Sequence, residues 1–382
     1  MKKKVLCFIP SIGSDGITKI MFDIYSKFNL EKYQIDFMAF EVEDISYVDV
    51  NLYKIYKINS NKVKRYIEEF QIMKKNKYDI VHVNGNRFAR FMECMIAKMA
   101  HTKKVIIHSH NTGSSNLSKF KKFLNNKLKF LFFPFCDNYL ACSDMAAEWL
   151  FPKSVIRNNR VKKINNGIDI NKFKFDKEIR KRYRCERNIN DNLVIGHIGR
   201  FEEQKNHEFI IELFKKIYQK DNKARLILIG NGSLKNKIKL KVKNNKLEKV
   251  VEFYDVRTDV NALLMMMDVF LFPSKFEGLG TVLIEAQATG LKCFISDVIP
   301  KEVNITNNIY RFNLKENNYE ELVNDILNID KHEDNRENAF QMVASAEFDI
   351  ETVSKKMEYI YEEIFIEDET ISNKKHKKKG DK

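Results

Sequence analysis

Short apolar runs alternate with amphipathic stretches along most of this chain. VLCFIP (5–10), QIDFMAF (34–40), KIYKI (54–58), DIVHVN (79–84), KVIIHSH (104–110), NYLACS (138–143) and VKKINNGID (161–169) read as strands. Such runs, rich in Val, Ile, Phe and Tyr, suit buried strands. Between them, ITKIMFDIYSKF (17–28), VKRYIEEFQIMKK (63–75) and RFARFMECMIAKMA (87–100) space their apolar residues three and four apart, the helical period. A polar, charged stretch at 170–192 interrupts the pattern. It restarts with strands NLVIGHIG (192–199), ARLILIG (224–230), VVEFYD (250–255), VFLFP (269–273) and KCFISD (292–297). Helices are expected between these at 207–219, 234–244 and 260–267, and a last one at about 350–365.

Apolar strands joined by helical crossovers form parallel sheets covered on both faces. The expected fold is therefore α/β, with two Rossmann-like, doubly wound parallel-sheet domains facing a central cleft. Residues 1–170 would form the first domain, with the 350–365 helix returning to it, and 171–349 the second. The charged end, 366–382, is expected to be disordered. In open parallel sheets ligands bind beyond the carboxyl ends of the strands, so polar residues that follow strands are the candidates for chemistry.

Composition narrows the class. A chain of 382 residues, 44% of them hydrophobic, suits two packed domains. With 13 Gly and 5 Pro it is neither fibrous nor low-complexity. The formal net charge of +15 points either to an anionic partner or to the Lys- and Asn-rich usage of an AT-rich genome. No zinc-finger or RNA-binding pattern accompanies it, so no nucleic-acid partner is expected. The six cysteines contain no C-x-x-C pair and read as reduced, buried thiols. The apolar part of MKKKVLCFIPSIG is too short for a signal peptide, and a first strand fits it better. No run has the length of a membrane span, and a cytoplasmic protein is expected.

Three loops carry candidate chemistry. Gly13-Ser14-Asp15-Gly16 follows the first strand and enters a helix, whose free amides and positive dipole end suit an anion. It lacks the G-x-G-x-x-G spacing, and no acid follows strand two where a nicotinamide ribose would need one. In GHIGRFEEQKNHEF, Gly196 and Gly199 permit close backbone approach, and Arg200 and Lys205 bring two cations to the loop before a helix. A planar fork beside a point charge suits a diphosphate. In PSKFEGLGTVLIEAQATG (273–290), Glu277 and Glu285 flank the turn Gly278-Leu279-Gly280-Thr281 at a helix start. Carboxylates hold phosphates poorly but accept sugar hydroxyls well. A nucleoside diphosphate with a sugar at each end fits two glutamates around an anion-binding turn.

Together these residues resemble the retaining, GT-B-type glycosyltransferases of family 4 (glycosyl transferases group 1). The E-x7-E motif is Glu277…Glu285, and the G-x-x-G-R…K-N element is Gly196, Gly199, Arg200, Lys205 and Asn206. DIVHVNGN, HSHNTG, ACSDMAAEWLF and NNGID are similar to segments of bacterial capsular and exopolysaccharide members. The resemblance covers about residues 3–365. It implies that Arg200 and Lys205 hold the donor diphosphate, Glu277 the transferred sugar and Glu285 the ribose. Amides of Gly278, Leu279, Gly280 and Thr281 would support the sugar and β-phosphate. Tyr254 to Arg257 would cradle the base, and His110 would face the donor sugar. Gly13 and Gly16 would approach the diphosphate or the acceptor. Where many members carry Gly-Gly, this chain has Ser14-Asp15. The implied reaction moves a hexose or N-acetylhexosamine, from a UDP-linked donor, to a glycan or polyprenyl-linked sugar in cell-surface polysaccharide synthesis. No Asp-x-Asp metal motif occurs, and no metal or other cofactor is expected.

LSKFKKFLNNKLKFLFFPF (117–135) has five lysines, Lys119, Lys121, Lys122, Lys127 and Lys129, and no acid. Lys with Phe and Leu at roughly helical spacing reads as a surface for an anionic membrane or an acceptor, with a core-facing helix and a solvated basic face as the alternative. Two other activities fit the same fold: a nucleotide-sugar 2-epimerase, and a non-catalytic nucleotide-sugar-binding partner of another transferase.

Overall fold

A computed structural model of the chain describes residues 2–13, 16–43, 52–59, 61–85, 87–112, 127–130, 133–189, 191–315, 319–330 and 336–380. The chain divides into two compact units, Met1–Gly167 with Ile350–Lys382, and Ile168–Asp349.

The strands of the first unit are β1 (Lys3–Phe8), β2 (Ser11–Ile12), β3 (Tyr33–Ala39), β4 (Glu41–Val42), β5 (Lys54–Lys57), β6 (Ile80–Asn84), β7 (Lys104–Ser109), β8 (Asn138–Ala141) and β9 (Val161–Lys163). Seven of them form one sheet in the order β5-β3-β1-β6-β7-β8-β9, while β2 and β4 pair separately. Every pairing in the large sheet is parallel. Its adjacent strands β1 and β6 are buried nearly throughout because both sheet faces are covered. The helix Gly16–Ser26 buries Ile20, Met21, Ile24 and Tyr25 against one face.

The helix Ile350–Gly380 belongs to this unit. Its Val353, Met357, Ile360, Tyr361 and Ile364 recur at the helical period and join the same core as Phe37 and Tyr25. It runs well past the stop expected at 365.

The second unit adds β10 (Val194–Ile198), β11 (Arg225–Ile229), β12 (Val251–Tyr254), β13 (Val269–Phe272), β14 (Lys292–Ser296) and β15 (Ile309–Phe312). They form a parallel sheet in the order β12-β11-β10-β13-β14-β15. The expected α/β architecture of two doubly wound sheets is therefore present.

One segment read as a pause is structural. Within 170–192 lies the helix Lys177–Cys185, capped by Asp176, whose side chain accepts from the amides of Glu178 and Ile179. Its buried residues are Arg180 and Arg184. Arg180 lies 2.5 Å and Arg184 3.2 Å from the carboxylate of Asp268, and both donate to carbonyls of Met265–Met267. These carbonyls close the helix Val260–Met266, where cations are favourable. Burial acts to raise the Asp268 pKa. The two guanidiniums and the Val194 amide outweigh it, leaving the carboxyl below its ordinary value.

Candidate active site

In each sheet the chain changes direction at one point. In the second unit it passes from β10 outward through β11 and β12, then returns to β13 on the other side of β10. The carboxyl ends of β10 and β13 flank that reversal, the place where open α/β sheets bind ligands. Arg200 and Lys205 follow β10, and Glu277 follows β13. Lys205 Nζ and Glu277 Oε1 are 2.6 Å apart, and both side chains are largely buried. The ammonium also lies 4.5 Å from the centre of the Phe272 ring, a cation-π contact.

The two loops are stitched together. Gln204 Nε2 donates to the Phe276 carbonyl, and the Lys275 amide donates back to the Gln204 carbonyl, each at 2.8 Å. Asn206, in the left-handed region with φ 56°, donates to the Pro273 carbonyl. Glu203 pairs with Lys275 at 3.0 Å. Sequence reasoning passed over Gln204 and Lys275, whose role depends on strand order.

Glycine is required where loops crowd. A Cβ on Gly230, after β11, would stand 2.2 Å from the Gly199 carbonyl. Gly280 has φ 89° and opens the helix Thr281–Ala288, which no side chain caps. Its first amides form an anion-favouring end beside Lys205 and Glu277. Leu279 is buried and anchors the turn, while Gly278 precedes it in the backbone. Glu285 lies in the second turn of this helix and is buried.

Under the β10 loop sit two neutral histidines. His197 Nδ1 lies 2.8 Å from the Leu271 carbonyl of β13, and the His207 ring stacks on Phe201 at 4.0 Å. Burial, with the nearby Lys205 charge, pushes His207 down to about 3. Burial, then His207, holds His197 well below its ordinary value.

Tyr254 and Arg257, expected to cradle the base, lie at and after the end of β12, two strands from β10. The Tyr254 hydroxyl is 2.5 Å from Glu252 and 3.4 Å from Arg187. Arg257 makes a two-pronged contact with Asp259, both bonds 2.8 Å, and sits over the Tyr254 ring at 5.7 Å. Lys235, which sequence reasoning did not single out, ties the carbonyls of Gly230 and Tyr254 to Asp255.

In the first unit the reversal lies between β1 and β6. Gly13 ends the described part of the β1 loop, where an added Cβ would approach the Glu43 carboxylate at 2.7 Å; Gly16 begins the next helix, with open space around it. Ser14 and Asp15 lie outside the described residues. His110 follows β7 and is buried. Its Nε2 is 2.8 Å from Asn84 Oδ1 and its Nδ1 3.4 Å from Asn166 Oδ1. Burial pushes it down to about 4, with Asn166 acting the other way.

Of the five basic-segment lysines, Lys119, Lys121 and Lys122 lie outside the described residues, and Lys127 is exposed. Lys129 corrects its expected place on a membrane- or acceptor-facing surface. It is 6% exposed and donates to the Trp149 carbonyl at 2.6 Å, and burial pushes it down to about 8. The Trp149 carbonyl outcompeted solvent for this ammonium. Among the described residues no group of three metal-ligating side chains occurs, and no helix is long and apolar enough to cross a membrane.

Two family descriptions match this chain: Glycosyl transferases group 1 over residues 179–343, and Glycosyltransferase Family 4 over residues 32–172. The chain is 28% identical to EpsF of Bacillus subtilis over 315 residues, 79% of this chain and 81% of that protein. It is 28% identical to the capsular polysaccharide biosynthesis glycosyltransferase CapM of Staphylococcus aureus over 43% of this chain and 44% of that one. Among solved structures, Anabaena HepE in complex with UDP and glucose superposes with a TM-score of 0.78 at 17% identity, covering 94% of this chain and 100% of that one, a likeness of fold. With the two sheets, these matches make the architecture GT-B and the activity that of a transferase. The chain belongs to the family 4 glycosyltransferases, the glycosyl transferases group 1, and resembles their exopolysaccharide and capsule members.

Proposed function

We propose that this enzyme moves a hexose or N-acetylhexosamine from a UDP-linked donor to a glycan or polyprenyl-linked sugar, with retention at the anomeric carbon. The observation that carries the donor side is the Lys205–Glu277 pair at 2.6 Å at the switch point of the second sheet. An ammonium has three donors and a carboxylate several lone pairs, so each keeps capacity for a ligand while paired. Lys205, Arg200 and the amides at Thr281 hold the diphosphate. Glu277 accepts hydroxyls of the transferred sugar and Glu285 those of the ribose. Tyr254 and Arg257 flank the base, and His110 orients the sugar.

The bond from the anomeric carbon to the β-phosphate oxygen breaks, and the bond to the acceptor oxygen forms on the same face. The acceptor's proton passes to the departing phosphate. Negative charge builds on that phosphate, where preorganised cations and amides are most effective. These cations take the place of a metal. Two named proteins favour the donor and acceptor classes. HepE was crystallised with UDP-glucose, and a 27% identical Escherichia coli protein is named UDP-Gal:alpha-D-GlcNAc-diphosphoundecaprenol alpha-1,3-galactosyltransferase. The match to the latter covers 44% of this chain and 45% of that one.

A panel of nucleotide sugars, read by nucleoside-diphosphate release with membrane extract as acceptor, tests this reading. Acceptor-dependent release of UDP is expected. Release without acceptor, or from no UDP-sugar, would count against it. We further assign the enzyme to the inner face of the cell membrane, with Lys127 and the basic segment around it as the contact. Flotation with anionic but not neutral liposomes is the expected outcome; equal binding to both would remove the assignment.

A further inference from the structure

The His110 ring sits in a wholly polar but uncharged setting. Asn84, the last residue of β6, faces it. The Asn84 amide nitrogen points at three acceptors: the Phe8 carbonyl at 3.1 Å, the Cys7 sulfur at 3.2 Å and the His82 carbonyl at 3.5 Å. Reversing the amide would set its oxygen against two carbonyl oxygens, so the environment fixes which end faces His110. The end that faces it is the oxygen, at 2.8 Å from Nε2. A carbonyl oxygen only accepts, so Nε2 must carry a proton, and in a neutral ring Nδ1 then has the lone pair. The other neighbours agree with a neutral ring. His108 packs on it, tilted, at 3.8 Å and among the described residues has no hydrogen-bond partner at either ring nitrogen, and His82 stacks on His108 at 5.3 Å. Behind them Tyr25 and Tyr361 bond His82 Nδ1 and each other, and Cys7 is buried. No carboxylate is among these neighbours.

We propose that Asn84 is a positioning residue: it locks His110 as the neutral Nε2–H tautomer and leaves Nδ1 as the acceptor on the Asn166 side. This rests on the reading of His110 as the residue that orients the donor sugar. A ring so fixed has its one acceptor at Nδ1, which a sugar hydroxyl takes in place of the long Asn166 contact. The Nδ1–Asn166 Oδ1 distance of 3.4 Å is consistent with two acceptors that do not bond as drawn; the Asn166 amide turned over would donate.

The test is nitrogen-15 NMR of histidine-labelled full-length protein, with His110 assigned by difference from His110→Gln, beside steady-state kinetics. In the unmodified protein His110 should show the Nε2–H tautomer throughout the neutral range. Asn84→Ala should mix the tautomers and lower kcat by about 10- to 100-fold with the donor KM little changed. Asn84→Asp, nearly isosteric, guards against failure to fold. Its acceptor-only carboxylate should draw a second proton onto His110, move its titration upward and bring a new inflection into the pH profile of kcat/KM. A proton on Nδ1 in the unmodified protein, or the same tautomer and titration in both variants, would overturn the proposal. A tautomer change with kcat intact would overturn Asn84's part in the reaction. Full activity of His110→Gln would bring down the sugar-facing role of His110 instead.

Discussion

At the switch point of the second sheet the side chains are ionic: Arg200, Lys205 and Glu277. At that of the first, the residues that end β6 and follow β7 are neutral, Asn84 and His110 with Asn166 beside it, while the Glu43 carboxylate lies against the β1 loop at Gly13. The same topology has been furnished in two ways. A charge taken from water needs a partner, and Lys205 has Glu277. A titratable group held neutral needs burial without an opposite charge, and His82, His108 and His110 have that. The ionic site suits developing phosphate charge; the neutral one suits hydroxyls, which need direction more than field.

Acid should separate the two most strongly. Buried histidines with depressed pKa bind fewer protons folded than unfolded. Their contribution is fully present above the unfolded value near 6.5 and is lost as pH falls from there towards the folded values of about 3 to 4. Each such ring contributes up to about 1.4 kcal/mol per pH unit across that window. The first unit has His82, His108 and His110, and the second His197 and His207. Glu69 and Glu93 of the first unit, both with pKa raised by burial, bind protons in the fold and gain stability as pH falls, which offsets much of what its three rings lose. Hydrogen exchange relative to the free-peptide rate between pH 7 and 5 should therefore accelerate less steeply in β1 and β6 than in β10 and β11. Equal acceleration would remove the contrast.

Next in size is the ion cluster behind the second sheet. Arg180→Ala leaves Asp268 with Arg184 alone, and breaking a buried pair costs about 3–5 kcal/mol. Urea denaturation should report a loss near the lower figure, since one guanidinium remains. Lys205→Ala should lower kcat/KM by about 100- to 1,000-fold, the usual effect of removing one group that stabilises transition-state charge. A loss confined to KM would mean that Lys205 binds donor and transition state equally. The smallest effect is expected from Tyr361→Phe. Removing the hydroxyl that His82 and Tyr25 share should cost about 1 kcal/mol in thermal unfolding and leave kcat unchanged.

Much of this was legible in the chain. Val269–Phe272 is an unbroken apolar run before Gly-flanked carboxylates, and β13 with its loop follows it directly. The Lys177–Cys185 helix was not legible, because apolar periodicity is blind to a face made of Arg180 and Arg184. Lys129 was misplaced for a related reason: composition cannot say which lysine of a basic run meets a buried carbonyl. The position of Glu277 opposite Lys205 needed strand order, which no local pattern encodes. Asn84 and Asn166 carried the same signal as His110, a polar residue after an apolar run, but amides lack the distinctiveness of an imidazole.

The most direct test of the donor-site account is calorimetric titration of UDP into the unmodified protein, Glu285→Gln and Glu277→Gln, with turnover measured on the same preparations. If each glutamate measures one end of the donor, Glu285→Gln should weaken UDP binding. Glu277→Gln should then leave UDP binding nearly intact and lower turnover. Small and equal effects of both substitutions on binding and on turnover would contradict it.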